Sequence, residues 1–149
     1  METGCRIFAA GFRFCILSER NLTVMYKIIR KEVLNPTITL LEIEAPFVAK
    51  KAKPGQFIIL RIDEKGERLP LTIGGFDREK GTVTIIFQLV GLTTKALAKL
   101  NPGDYLLDFV GPLGMPTETE GIKRVCVIGG GLGTAIAYPV AKGFHDAGA

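Results

Sequence analysis

The sequence predicts an all-β, six-stranded antiparallel barrel of the Greek-key type, followed by the first strand, loop and helix of an α/β domain. Three observations predict it. Between residues 26 and 110, six short runs rich in β-branched and aromatic residues are punctuated by Asn, Asp, Pro and Gly, the spacing of antiparallel strands joined by tight turns. At Gly111 the chain changes character, passing through Gly111-Pro112-Leu113-Gly114-Met115-Pro116. Beyond that connector, Arg124 to Ile128 is a near-continuous apolar run that leads into Gly129-Gly130-Gly131-Leu132-Gly133.

The first strand runs from Tyr26 to Leu34 and is ended by Asn35-Pro36. Thr37 to Glu44 is the second, where the slip in alternation at Leu40-Leu41 suggests a bulge near Leu40. Lys53-Pro54-Gly55-Gln56 has proline and glycine where a type II turn needs them, and Phe57 to Ile62 follows as an apolar strand. Asp63 to Gly66 forms a hairpin loop into Arg68 to Ile73. The charged loop Asp77 to Gly81 leads to Thr82 to Val90. Thr93 to Leu100 is helical, with Leu97 and Leu100 on one face. Asn101-Pro102-Gly103-Asp104 stops it, and Tyr105 to Val110 is the sixth strand.

The second unit has another period. Arg124 to Ile128 suits a parallel strand covered on both faces, and about Ala135 to Ala147 is helical. Strand, glycine loop and helix make the opening unit of an α/β nucleotide-binding domain. Pro139 favours a late or distorted helix start, since proline fits the first turn and breaks an interior one. The division is therefore 1–24 as an extension outside the domain, 25–116 as the barrel, and 117–149 as the start of a second domain. One strand and one helix leave an apolar face open, so the second domain is expected to be truncated or covered by another chain.

Apolar residues at 47% and charged residues at 23% place the chain among folded proteins rather than disordered ones. The net charge of +4 is scattered among acids, and no nucleic-acid recognition motif accompanies it. The one dense basic run, Lys50-Lys51-Ala52-Lys53, could suit a nucleic acid, and a solvated loop explains it equally well. Ile7 to Leu17 is too short to span a bilayer and is broken by Arg13. Cys5, Cys15 and Cys126 match neither a disulfide framework nor a metal cradle, which makes a cytoplasmic setting the default. Cys126, on an apolar strand, is expected in the core.

Three constellations could carry chemistry, and each has a bland alternative. Gly129, Gly130, Gly131 and Gly133, with Thr134, precede a helix start, where bare backbone N–H groups suit a pyrophosphate. Only part of the G-x-G-x-x-G spacing is met, and a tight turn without ligand also fits. Arg68, Pro70, Leu71 and Thr72 place a proline inside a strand, which belongs at an edge or beside a ligand. Arg68 and Thr72 would share a face; ordinary surface residues of an edge strand explain them too. Gly91, Thr93 and Thr94 open a helix, with Thr93 as N-cap, either for an anion or for capping alone.

Taken together, an arginine–proline–threonine strand, a Gly-x-Thr helix start, Gly111-Pro112-Leu113-Gly114, and Val127-Ile128 leading through the glycine loop to Thr134-Ala135 resemble the ferredoxin–NADP reductase superfamily. The wording is most similar to electron-transfer subunits of dihydroorotate dehydrogenase and of the sulfide dehydrogenase, or NADH-dependent ferredoxin–NADP oxidoreductase, type. Pro54-Gly55-Gln56-Phe57 adds to it, and the resemblance covers about Tyr26 to Ala149.

The resemblance implies FAD, with Leu71 and Thr72 against the isoalloxazine and Pro70 shaping their strand. Gly91, Thr93 and Thr94 would take the flavin pyrophosphate. Gly129 to Gly133 with Thr134 would face the pyrophosphate of NAD(P). It implies a flavin-dependent subunit that passes electrons between NAD(P)H, FAD and an iron–sulfur centre or a larger partner subunit. Intact relatives would be NAD(P)H-dependent flavin oxidoreductase subunits, and this chain alone is not expected to carry full activity. The family writes arginine-x-aromatic-serine/threonine. Here Arg68 sits one residue further from Thr72 and Leu71 replaces the aromatic, which puts a phosphate role for Arg68 in question. Ligands for the family's [2Fe–2S] centre are absent, since no cysteine fits its cluster pattern. The competing readings are a basic β-barrel module that binds RNA or protein, and a cofactor-free structural subunit.

Overall fold

The computed structural model describes residues 25–149, and the proposed 1–24 extension lies outside the described residues. Seven strands and three helices run in order: β1 (Tyr26–Asn35), β2 (Ile38–Glu44), α1 (Pro46–Lys51), β3 (Phe57–Arg61), β4 (Leu69–Asp77), β5 (Thr82–Gln88), α2 (Leu92–Leu97), β6 (Tyr105–Leu106), β7 (Asp108–Leu113) and α3 (Gly133–Asp146). All pairings are antiparallel, in the order β6-β1-β2-β5-β4-β3-β7.

The expectation of six strands and then a strand–loop–helix is overturned. The run Tyr105–Val110 is two strands with different partners, β6 on β1 and β7 on β3. Between them the Leu107 N–H turns to the carbonyls of Arg61 and Ile62 at 3.0 and 3.2 Å. Because β6 and β7 sit at opposite ends of the strand order yet adjoin in the chain, the sheet curls into a nearly closed barrel.

The segment Arg124–Ile128 is not a strand. A parallel strand needs a neighbour to accept its ladder bonds, and it has none among the described residues. Val125, Cys126 and Ile128 are exposed there, so Cys126 is not a core residue. Past this segment the chain forms a glycine loop and then α3.

Smaller corrections have local causes. β2 keeps its alternation, with Thr39, Leu41 and Ile43 inward and continuous pairing to β5. The bulges lie instead in β1, between Ile28 and Arg30 and between Val33 and Asn35. The lysine run is not a loop: Lys50 and Lys51 form the last turn of α1, which opens on Pro46 and buries Val48 and Ala49. α3 starts at Gly133, before the expected Ala135, and holds Pro139 in its interior. The proline nitrogen cannot bond the Ala135 carbonyl, but Pro139 is itself buried against the barrel.

The barrel fills with alternating inward residues, among them Ile28, Leu60, Val83, Ile85, Phe87 and Phe109, all at most 1% exposed. Leu97 of α2 and Ala49 of α1 are buried in the same core. The turn Lys53–Gln56 forms as expected, with Gly55 at φ +86°. Buried Gln56 then ties it to the residue just past β7, the strand paired with β3: its Oε1 accepts the Lys53 N–H at 3.0 Å, and its Nε2 donates to the Gly114 carbonyl at 2.9 Å.

Candidate functional site

β4 places the first set of residues. Leu71 and Ile73 turn toward the core, which sets Pro70, Thr72 and Gly74 on the outer face. Pro70 pairs with Ile59 and Thr72 with Phe57. Leu71 therefore packs inward instead of presenting its side chain outward. Arg68 precedes the strand and is exposed. β4 bulges against β5 between Ile73 and Gly75.

Beside the start of β4, the turn into α2 forms a recess of about 370 Å³. The helix is shorter than expected, and its N-cap is Gly91, not Thr93. Thr94 does the capping: its Oγ1 accepts the Val90 and Gly91 N–H groups at 3.1 and 3.0 Å and donates to the Gly91 carbonyl at 3.1 Å. Buried and so committed, Thr94 shapes the recess. Thr93 instead donates its hydroxyl to Glu67 Oε2 at 2.9 Å. Glu67 lines the recess and was not singled out from sequence, because this contact spans a hairpin.

The glycine loop and α3 close two further hollows against the outer barrel face. One, about 360 Å³ and mostly apolar, lies between Gly131, Leu132 and Thr134 on one side and Ile38, Gly74 and Ile86 on the other. The second, about 610 Å³, lies between β4 and the middle of α3, with Phe76, Asp77, Arg78, Tyr138, Lys142 and Asp146 in its walls. Tyr138 borders both and was also missed from sequence. Leu69 reaches the α2 recess and Gly74 the glycine-loop groove, so about 17 Å of β4 separates the two hollows at ordinary strand rise. Thr72 lies between them. Arg68 does not line either one.

The glycines divide by what the fold needs of them. A Cβ at Gly129 would stand 3.0 Å from Thr134 Cα, and Gly131 has φ +54°, so the loop itself accounts for both. Added Cβ atoms at Gly91, Gly130 and Gly133 would meet nothing within 4 Å. These three face open space with bare backbone, as a site for a closely approaching ligand requires.

Charge in the larger cleft is mixed. Arg78 stacks 4.9 Å from the Phe76 ring centroid and donates to the Ala52 carbonyl at 2.9 Å. Lys142 donates to Asp146 at 2.8 Å, which raises the lysine and lowers the carboxyl. The Lys80 backbone N–H holds the Asp77 carboxyl below the ordinary aspartate range; desolvation opposes it, and the Glu79 N–H adds to the lowering. A lowered pKa contributes stability above the unfolded value, lost as pH falls through the folded one. Asp77→Asn should therefore melt lower than the parent at neutral pH, with the gap closing in acid below the ordinary aspartate range. Melting curves across that range check it; a gap independent of pH would rule the ionised carboxylate out as the cause.

Comparison with known proteins gives the context. No family model matches the chain. It is 41% identical over 126 residues to a Thermotoga maritima homolog of the electron transfer subunit of dihydroorotate dehydrogenase B (NAD(+)), covering 85% of this chain and 45% of that protein. The solved structure of the NADH-dependent reduced ferredoxin-NADP oxidoreductase, a study of flavin-based electron bifurcation, superposes with a TM-score of 0.81 at 40% identity, covering 87% of this chain and 47% of that one. This chain resembles the electron-transfer subunits of the ferredoxin reductase-like superfamily.

A Clostridium beijerinckii protein, itself uncharacterized, is 54% identical over 131 residues, covering 83% of this chain and 44% of that protein. The chain thus spans a little under half the length of these relatives. The ferredoxin reductase of carbazole 1,9a-dioxygenase shares the fold, with a TM-score of 0.67 at 18% identity. Among the described residues, no group of three or more His, Cys, Asp or Glu could hold a metal ion, and no helix is long and apolar enough to cross a membrane.

Proposed function

We propose that this chain is the flavin-holding part of an electron-transfer subunit that works between NAD(P)H, FAD and an iron–sulfur centre or partner subunit. The observation that carries the reading is the set of glycines that folding does not require: Gly91, which lines the α2 recess, and Gly130 and Gly133, exposed beside the groove that Gly131, Leu132 and Thr134 line. They fall where the superfamily resemblance expects nucleotide contacts. In this reading residues 25–116 are the FAD-binding barrel and 117–149 begin the NAD(P)-binding domain.

The residues present fit FAD. Thr72, Pro70 and Phe57 share the outer face between the two hollows and offer a flat apolar support with one hydroxyl. The α2 recess, shaped by Thr94 and opened by Gly91, would take the diphosphate, with the Thr93 hydroxyl as donor. Gly130, Gly133 and Thr134 at the start of α3 would lie against the NAD(P) pyrophosphate, with the Thr134 hydroxyl as donor, since the Gly133 and Thr134 N–H groups already donate to the Gly130 and Gly131 carbonyls at 3.0 and 3.2 Å. When bound, FAD supplies the conversion between two-electron nicotinamide and one-electron iron–sulfur chemistry. The protein's part is to orient the ligand and shield it from water. The relatives are named as subunits, which supports a larger electron-accepting partner.

The test is direct. Purified chain incubated with FAD and freed of excess by gel filtration should keep a flavin absorption spectrum. A colourless protein after that treatment removes the reading.

A further inference from the structure

We propose that Glu67 limits how tightly this chain holds flavin, as a negative charge that opposes the diphosphate in the α2 recess. The inference rests on the flavin reading above. Among the described residues that line the recess, which include Leu69, Val90, Gly91 and Thr93, Glu67 is the one charged residue. Its Oε2 accepts the Thr93 hydroxyl at 2.9 Å. Lys65, Arg68 and Lys95, its neighbours in chain and fold, are exposed and none lines the recess. No cation pairs with Glu67 among the described residues.

An incoming diphosphate therefore meets a charge of its own sign, and finds the Thr93 hydroxyl already engaged. Both groups face solvent, so the repulsion is that of charges a few ångströms apart in a high dielectric, and it falls with salt. A flavin lacking phosphate meets no such opposition. Glutamine at 67 would keep the shape and still accept the Thr93 hydroxyl, while removing the charge.

Glu67→Gln in the full chain should bind FAD roughly three- to tenfold more tightly than the parent at low salt. Riboflavin affinity should be unchanged, and the FAD difference should narrow at high salt. Fluorescence titrations with FAD and riboflavin at two salt concentrations read all of this, with a melting curve to show that the fold is kept. Equal FAD affinity in both chains overturns the inference and leaves the flavin reading standing. So does weaker FAD binding by the variant, or an equal gain for riboflavin. If neither chain binds FAD, the flavin reading itself falls.

Discussion

Gly91→Val is expected to fold as the parent does and to bind FAD roughly 10- to 100-fold more weakly. The backbone at Gly91 is extended, φ −119° and ψ 177°, a conformation that valine adopts readily. A Cβ there would meet no atom within 4 Å, so the folded chain has nothing to rearrange. The capping is done by Thr94, whose bonds to the Gly91 N–H and carbonyl survive the change. Valine is a poorer N-cap than glycine, which costs about 1 kcal/mol at most, so the melting temperature should move by only a few degrees. The loss of affinity comes from methyl groups standing where a diphosphate would lie against bare backbone. Circular dichroism and an FAD titration decide it together. Unchanged affinity would remove the α2 recess from the flavin site; a large drop in melting temperature would make Gly91 a structural glycine instead.

The barrel was legible in the sequence where short apolar or β-branched runs were bounded by turn chemistry. Phe57 to Leu60 is an unbroken apolar run, Thr82 to Phe87 is rich in β-branched residues, and Pro54-Gly55 marks its turn without ambiguity. The split of Tyr105–Val110 was not legible, because no glycine or proline marks Leu107. The break arises where the Leu107 N–H leaves one ladder for the Arg61 and Ile62 carbonyls, a contact that only closure of the barrel creates. Arg124–Ile128 failed for the opposite reason. Its composition is that of a strand, but strand structure is made by partners, and composition cannot supply them. α1 is six residues long, too short for any period to show.

The site was legible as a list of residues and less so as a division of labour. Gly91, Thr93 and Thr94 do come together, yet the capping expected of Thr93 belongs to Thr94. That exchange frees Thr93 to meet Glu67. Leu71 was expected against a ligand, but strand alternation turns it inward once Pro70 and Thr72 face out. Tyr138 and Glu67 carried no local signal, since each acquires its place through a neighbour distant in sequence.

Gly143→Val should detach α3 from the barrel while leaving the barrel folded. Glycine in a helix interior costs up to about 1 kcal/mol relative to alanine, so on helix propensity alone any substitution here but proline should help. Packing opposes it more strongly. A Cβ at Gly143 would stand 2.8 Å from Pro54 Cγ and 3.3 Å from Pro54 Cβ. The pyrrolidine ring cannot swing away, because Pro54 belongs to the turn that Gln56 ties to Gly114 and whose Pro54 carbonyl accepts the Thr117 N–H at 2.9 Å. The helix must move instead. Overpacking of this kind costs about 1–3 kcal/mol, and α3 has little else to hold it: Phe144, 7% exposed, and Pro139 are its buried residues. With the helix displaced, both hollows that it closes against β4 open to solvent. Hydrogen exchange should show protection lost across residues 133–146 and kept in β2, β3 and β5. Gly143→Ala separates the two opposing effects, because it adds the clash with the least bulk. Greater protection of α3 in that variant would mean that helix propensity wins, and that the close approach to Pro54 is not what holds the helix in place.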